Sequence, residues 1–202
     1  MKKSKRMTVI IITACIVAAA AAGVALFLHG QQFGSLPQGA RLERVRRSPN
    51  YRDGEFRNLE PTALMTSEKG MWSSMWEFLF GSKKGLEPDS AIEAVKTVLR
   101  GIPPEENVMV WFGHSSYLLQ VDGRRALVDP VFHAASPVSF VGKPFAGTDI
   151  YKPEDMPDID YLIITHDHWD HLDYRTVKAM KGRIRKVLCP LGVGTHFERW
   201  GF

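Results

Sequence analysis

Residues Tyr161 to Tyr174 read YLIITHDHWDHLDY, an apolar run followed at once by histidines and acids. Leu162, Ile163, Ile164 and Thr165 form an apolar, β-branched run, which predicts a strand buried on both faces. Beyond it His166, His168 and Asp170 alternate, so an extended chain turns all three to one side. His171 follows at once, and helical spacing begins near Leu172. A strand thus delivers imidazoles and a carboxylate to one edge of a sheet. Those donors suit zinc, and also iron or manganese. A single histidine at a strand end is an ordinary polar loop residue. Asp170, with Asp173 three residues on, also reads as a weak capping box. That reading covers Asp170 and leaves the clustered histidines without a role, so metal binding is the expectation.

The spacing H-x-H-x-D-H, carried by His166, His168, Asp170 and His171, resembles the signature of the metallo-β-lactamase superfamily. WFGHSS at Trp111–Ser116, LVDPVF at Leu127–Phe132, ASP at Ala135–Pro137 and CPLG at Cys189–Gly192 extend the match. They look like the subgroup that contains N-acylphosphatidylethanolamine-hydrolysing phospholipase D and its bacterial relatives. The likeness runs from about Asn107 onward, with weaker echoes in SPNYRDGEFRN at Ser48–Asn58. It implies an α/β fold, the N-terminal half of an αββα sandwich.

The resemblance also implies two metal ions, zinc by expectation with iron or manganese as alternatives, sharing a bridging hydroxide. His166 and His168 would hold the first ion, and Asp170 and His171 the second, with Asp170 in the catalytic role. Asp129 ends a neighbouring strand as a candidate to orient a ligand histidine, or simply as a carboxylate closing a turn before Pro130. His114, in a Gly-His-Ser turn, is a second candidate to face the site. The family's further histidines and bridging aspartate are expected downstream. After Asp173 the donors are Cys189, His196 and Glu198, and His196 is too near the motif to match. The first ion is thus left with two protein ligands, and the sheet with an uncovered apolar face.

The remaining sequence sets the context. Lys2, Lys3, Lys5 and Arg6 account for the whole net charge of +4, so the rest is balanced and no nucleic-acid partner is expected. Cys15 and Cys189 lie in unrelated contexts and give no disulfide framework. Met7–Leu28 carries no charge and follows KKSKR. As a helix it can cross a bilayer core of about 30 Å, with the basic flank in the cytoplasm and the domain on the extracytoplasmic, periplasmic side. A cleaved signal sequence with secretion, and a lipoprotein reading of Ile12–Cys15, are the alternatives. The chain then divides into an anchor at 1–28, an arm at 29–102 and a partial hydrolase domain at 103–202.

Within the arm, Met71–Phe80 (MWSSMWEFLF) predicts an aromatic helix that caps a core, or else lies in a membrane interface. Ser90–Arg100 predicts a second helix, with a Ser90/Glu93 capping box and a stripe of Ile92, Val95 and Leu99. In the domain, Asp122-Gly123 predicts a hairpin between Tyr117–Val121 and Arg124–Val128. Further strands are expected at Val108–Phe112 and Lys186–Cys189, and helices at Tyr174–Met180 and from Gly194 to Trp200.

Together these features point to a metal-dependent hydrolase of a phosphodiester, such as a membrane lipid. Amide, lactone or β-lactam hydrolysis is the nearby alternative. The non-catalytic alternative is a fragment, or a half-protein completed by another chain or an oligomer.

Overall fold

A computed structural model describes residues 2–63, 70–82 and 84–202. Part of the arm, at 64–69 and 83, lies outside the described residues. Helix α1 spans Lys2–Leu28, and α2 spans Gly39–Arg46. A small hairpin pairs β1 (Tyr51–Arg52) with β2 (Glu55–Phe56), and α3 covers Gly70–Phe80. The domain then gives β3 (Val108–Gly113), β4 (Ser116–Val121), β5 (Arg124–Val128), β6 (Ile159–Ile163), α4 (Tyr174–Met180), β7 (Ile184–Leu188) and α5 (Gly194–Arg199).

The five strands form one sheet in the order β3-β4-β5-β6-β7, antiparallel in the first two pairings and parallel in the last two. Asp122 and Gly123, at φ 47° and 71°, turn β4 into β5 as the dipeptide foretells, because both central positions need the left-handed region. The parallel pairings need crossovers, which the long 129–158 connection and α4 supply. One face of the sheet is covered. Leu118, Leu127 and Leu162 are fully buried there, in one cluster with Val177 and Met180 of α4 and Phe197 of α5.

The other face is open. Met109, Leu119, Ala126 and Tyr161 stand in one cross-strand row, and Trp111 shares the next with Tyr117, the buried Val128, Ile163 and Leu188. Met109 is 66% and Trp111 65% exposed. Tyr161–Thr165 is therefore not buried on both faces, because no element covers its outer side among the described residues. Leu162 is enclosed while Tyr161 stands in solvent. This contrast gives a direct expectation. Leu118→Ala should cost about 2–5 kcal/mol by emptying a filled core site. Leu119→Ala, one residue on and facing outward, should stay within about 0.5 kcal/mol. Denaturant midpoints of the two variants check this.

Two readings of the arm are corrected. Ser90–Arg100 is not a helix: it runs irregularly to a single 3₁₀ turn at Leu99–Gly101, and only Leu99 of the supposed stripe is buried. Tertiary partners take its backbone instead. Ile92 N donates to Ala146 O at 2.8 Å and Thr97 N to Tyr151 Oη at 2.7 Å, and the β-branched Ile92, Val95, Thr97 and Val98 offer little helical preference against this. The Met71–Phe80 helix forms as α3 but caps no core, since none of its residues is buried.

Candidate metal centre

Asp129 is the residue on which the site is assembled. It ends β5 with φ 42°, an unfavoured conformation for a residue other than glycine, and is 1% exposed. Ser116 Oγ donates to its carbonyl at 2.6 Å and accepts from Val131 N at 3.1 Å, which pins the turn from β4. The carboxylate faces the end of β6. Its Oδ1 accepts from Thr165 N at 2.8 Å, and its Oδ2 accepts from Thr165 Oγ1 at 2.6 Å and lies 2.9 Å from His171 Nδ1. A buried carboxylate is an acceptor, so His171 carries its proton on Nδ1 and leaves Nε2 free as a ligand atom. Asp129 thus closes the turn before Pro130 through its backbone and lies against His171 Nδ1 through its side chain.

The motif itself is folded, not extended. Leu172 N and His171 N both donate to His168 O, at 2.8 and 3.0 Å. This turn carries His171 back beside His166, with ring centroids 3.9 Å apart. The helix cap belongs to Asp173, which accepts from Arg175 N at 2.9 Å, so Asp170 is free of that duty.

The donors gather in two neighbouring groups. His166 Nε2 and His168 Nδ1 lie 3.2 Å apart. Two ligand nitrogens at about 2.0–2.1 Å from a tetrahedral ion stand about 3.3 Å from one another, so the spacing fits a shared cation. In the second group, ligand atoms of His114, Asp170 and His171 all lie within 4.8 Å of one another. His114 Nε2 is 3.0 Å from Asp170 Oδ2. Sequence reasoning placed His114 only at the margin. Its position depends on a bulge between Trp111 and Gly113, on Gly113 at φ 105° and on its own φ of 46°, none of which the residue spacing discloses. Burial raises the Asp170 carboxyl, but its own backbone N–H and the neighbouring His171 and His114 outweigh that and hold it below the ordinary value. It is thus ionised at neutral pH, as a ligand must be.

The two spacer residues of the motif are held by the arm. Phe33 meets Trp169 edge-on at 5.4 Å. Ser35 N donates to His196 Nδ1 at 3.0 Å, and His196 Nε2 lies 3.4 Å from Asp167 Oδ2. The hydrogen bond from His196 is the main reason the Asp167 carboxyl sits below its usual range. Nothing in the sequence singled out this contact, because the arm shows no apolar periodicity. Gly34, at φ 61°, is required where it passes His196: a Cβ there would overlap the ring. Cavities flank the site on both sides. One of about 490 Å³ runs from His114 and Asp170 along Phe112, Phe132, Phe145 and Tyr151. The other, about 640 Å³, lies between His166 and the β1–β2 hairpin.

Comparison with known proteins puts this geometry in context. Residues 124–202 match the model of the beta-lactamase superfamily domain. An uncharacterized protein of Mycobacterium tuberculosis is 38% identical over 179 residues, covering 86% of this chain and 48% of that protein. N-acyl-phosphatidylethanolamine-hydrolyzing phospholipase D 1 of Caenorhabditis elegans is 41% identical over 98 residues, 45% of this chain and 26% of that one. A metal-dependent hydrolase of Aeropyrum pernix is 35% identical over 81 residues, 40% of this chain and 28% of that one. Among solved structures, a diiron β-hydroxylase of Streptomyces venezuelae is similar over 50% of this chain and 20% of its own, at 33% identity and a TM-score of 0.38. The chain spans about half the length of the Mycobacterium relative. The chain resembles the metallo-β-lactamase superfamily and, over residues 124–202 with every donor of the H-x-H-x-D-H motif, matches it.

Proposed function

We propose that this chain carries the metal-binding sheet of a membrane-anchored hydrolase that opens a phosphodiester bond in a lipid. The observation that carries the reading is the convergence of His114, Asp170 and His171 within 4.8 Å, beside the His166–His168 pair. These donors would hold a divalent ion, zinc by preference, which when bound would supply Lewis acidity and activate water as a nucleophile at neutral pH. The chain's own residues do the rest. Asp129 fixes the His171 tautomer, and Asp170 Oδ2, 3.0 Å from His114 Nε2, would stand beside that imidazole around the ion. The apolar cavity beyond takes the hydrocarbon part of a substrate, and Lys143 in its wall offers a cation to a phosphate oxygen. The Caenorhabditis relative acts on a phospholipid by its name, which supports this substrate class.

Among the described residues the His166–His168 pair brings two donors, below the three usual in a catalytic zinc site. Residues 1–202 alone are therefore expected to turn over slowly, and a chain of the relatives' length to turn over well. The test offers an N-acylated phospholipid, a chromogenic phosphodiester and a β-lactam to both proteins, with and without chelator. Chelator-sensitive cleavage of the phosphodiesters by the longer protein supports the reading. Cleavage of the β-lactam alone replaces it with amide hydrolysis, and no metal-dependent turnover removes it.

Anchoring rests on α1, where Lys5–Leu28 has a mean hydropathy of 2.7 and no residue buried. The domain then stands on the extracytoplasmic side. Alkaline carbonate washing should leave the protein in the membrane pellet, and full release into the supernatant would contradict an uncleaved anchor.

A further inference from the structure

The end of α1 is fixed to the domain. Arg199 Nη2 donates to His29 O at 2.7 Å, Trp200 Nε1 to Gln31 O at 2.8 Å, and Tyr174 Oη to Gln31 Oε1 at 2.9 Å. Phe27 of α1 stacks edge-on against Phe33 at 5.2 Å, and Phe33 against Trp169 of the metal loop. With so short and well-held a connection, the place where α1 leaves a bilayer fixes which part of the domain lies at headgroup depth. That part is identified by what surrounds Phe27: a cleft of about 330 Å³ formed with Pro137, Val138, Ser139, Tyr174 and Arg175.

The loop that begins there continues as SFVGKPF, Ser139–Phe145, with no acidic residue. Its backbone is ordered by its own bonds: Val141 N donates to Val138 O at 3.0 Å and Ala135 N to Gly142 O at 2.8 Å. This turn presents Phe140, 78% exposed, with Val141 beside it at 50%. Large apolar side chains turned outward into water are unfavourable. Ser139, next to Phe140 in the chain, lines the same cleft as Phe27 at the end of α1. The other side of the same loop, through Lys143 and Phe145, walls the apolar cavity that ends at His114 and Asp170.

We propose that the loop Pro137–Phe145 is a second membrane-contact surface, with Phe140 and Val141 seated in the headgroup region of the leaflet from which α1 emerges. The partner is a phospholipid bilayer. Lys143 and Arg175 lie at the level of lipid phosphates, and the cavity opens where a lipid substrate can pass from the leaflet toward the metal donors. This inference rests on α1 being a membrane anchor.

The test uses the full chain in phosphatidylcholine vesicles. A Cys15→Ser, Cys189→Ser background carries one new cysteine, Phe140→Cys or the milder Ser139→Cys, labelled with an environment-sensitive fluorophore. A label at Arg185→Cys, in β7 at the sheet end away from the metal loop, is the aqueous reference. Native Cys15, labelled with Cys189→Ser alone, reports α1. Blue-shifted emission at 139 or 140, quenched by spin-labelled lipids of shallow depth, with Arg185→Cys unquenched, is the expected result. Emission at both 139 and 140 like that at 185, while Cys15 is quenched by deep spin labels, overturns the loop contact and leaves the anchor standing. An unquenched Cys15 defeats the anchor itself, and the loop proposal with it.

Discussion

A chain in which His166 and His168 are both replaced by alanine is expected to lose metal binding at that pair entirely and to keep its fold. His168 is exposed and His166 half-buried; their rings contact each other, and His166 also meets His171, but neither fills a core site. Removing them empties no cavity, so the change in stability should fall within about 0.5 kcal/mol. Metal binding behaves differently because the two nitrogens are the pair's whole donor set. Loss of an outer partner alone costs about 10–100-fold in affinity, and loss of both ligands should exceed that. Equilibrium dialysis against zinc, with denaturant midpoints measured in parallel, checks both halves of the expectation. Undiminished binding at both donor groups would place that metal elsewhere.

Asp129→Asn is expected to have the second large effect, and a different one. The amide keeps the shape of the carboxylate but puts an NH₂ on one of its arms. If the remaining oxygen serves Thr165 N, the NH₂ faces His171 Nδ1 and Thr165 Oγ1, where Oδ2 now accepts. To accept from that NH₂, His171 must move its proton to Nε2, which removes the lone pair meant for metal. Affinity should fall about 10–100-fold. Stability should fall as well, because a buried donor without an acceptor costs roughly 1–3 kcal/mol. Asp129→Glu restores the charge but not the reach. It should recover stability in part and affinity little. Zinc titration and nitrogen-15 shifts of the His171 ring separate the tautomer change from general unfolding.

What the sequence disclosed, and what it hid, follows from how local each feature is. The Asp122-Gly123 hairpin was legible because two adjacent positive φ values are demanded by the turn alone. Tyr174–Met180 was legible from its spacing, since Asp173 caps it within one turn. The H-x-H-x-D-H motif was legible as a cluster of imidazoles and a carboxylate, but its shape was not. An extended chain aligns His166, His168 and Asp170, whereas hydrogen bonds to His168 O fold the loop and bring His171 against His166. Ser90–Arg100 misled because a capping pair and an apolar stripe say nothing of Tyr151 and Ala146, more than fifty positions along, which take its backbone. Phe33 and Ser35 were invisible for the same reason: they reach the motif's spacers from the distant arm, Ser35 through His196, which the sequence shows only as a donor too near the motif to match.

The open sheet face and α3 show the converse. Their sequences are apolar enough to be buried, yet Trp111 and Trp72 stand in solvent. Periodicity reveals that a face seeks cover, and only the fold reveals whether cover is present among the described residues.

The metal centre proposed above is built from imidazole and carboxylate alone. X-ray absorption at the zinc edge of the zinc-loaded chain tests it most directly. A first shell of nitrogen and oxygen at about 2.0–2.1 Å, with the outer scattering of imidazole rings and no sulfur, is the predicted spectrum. A sulfur scatterer at about 2.3 Å, which would enlist Cys189, or a failure to take up any metal, would contradict the account.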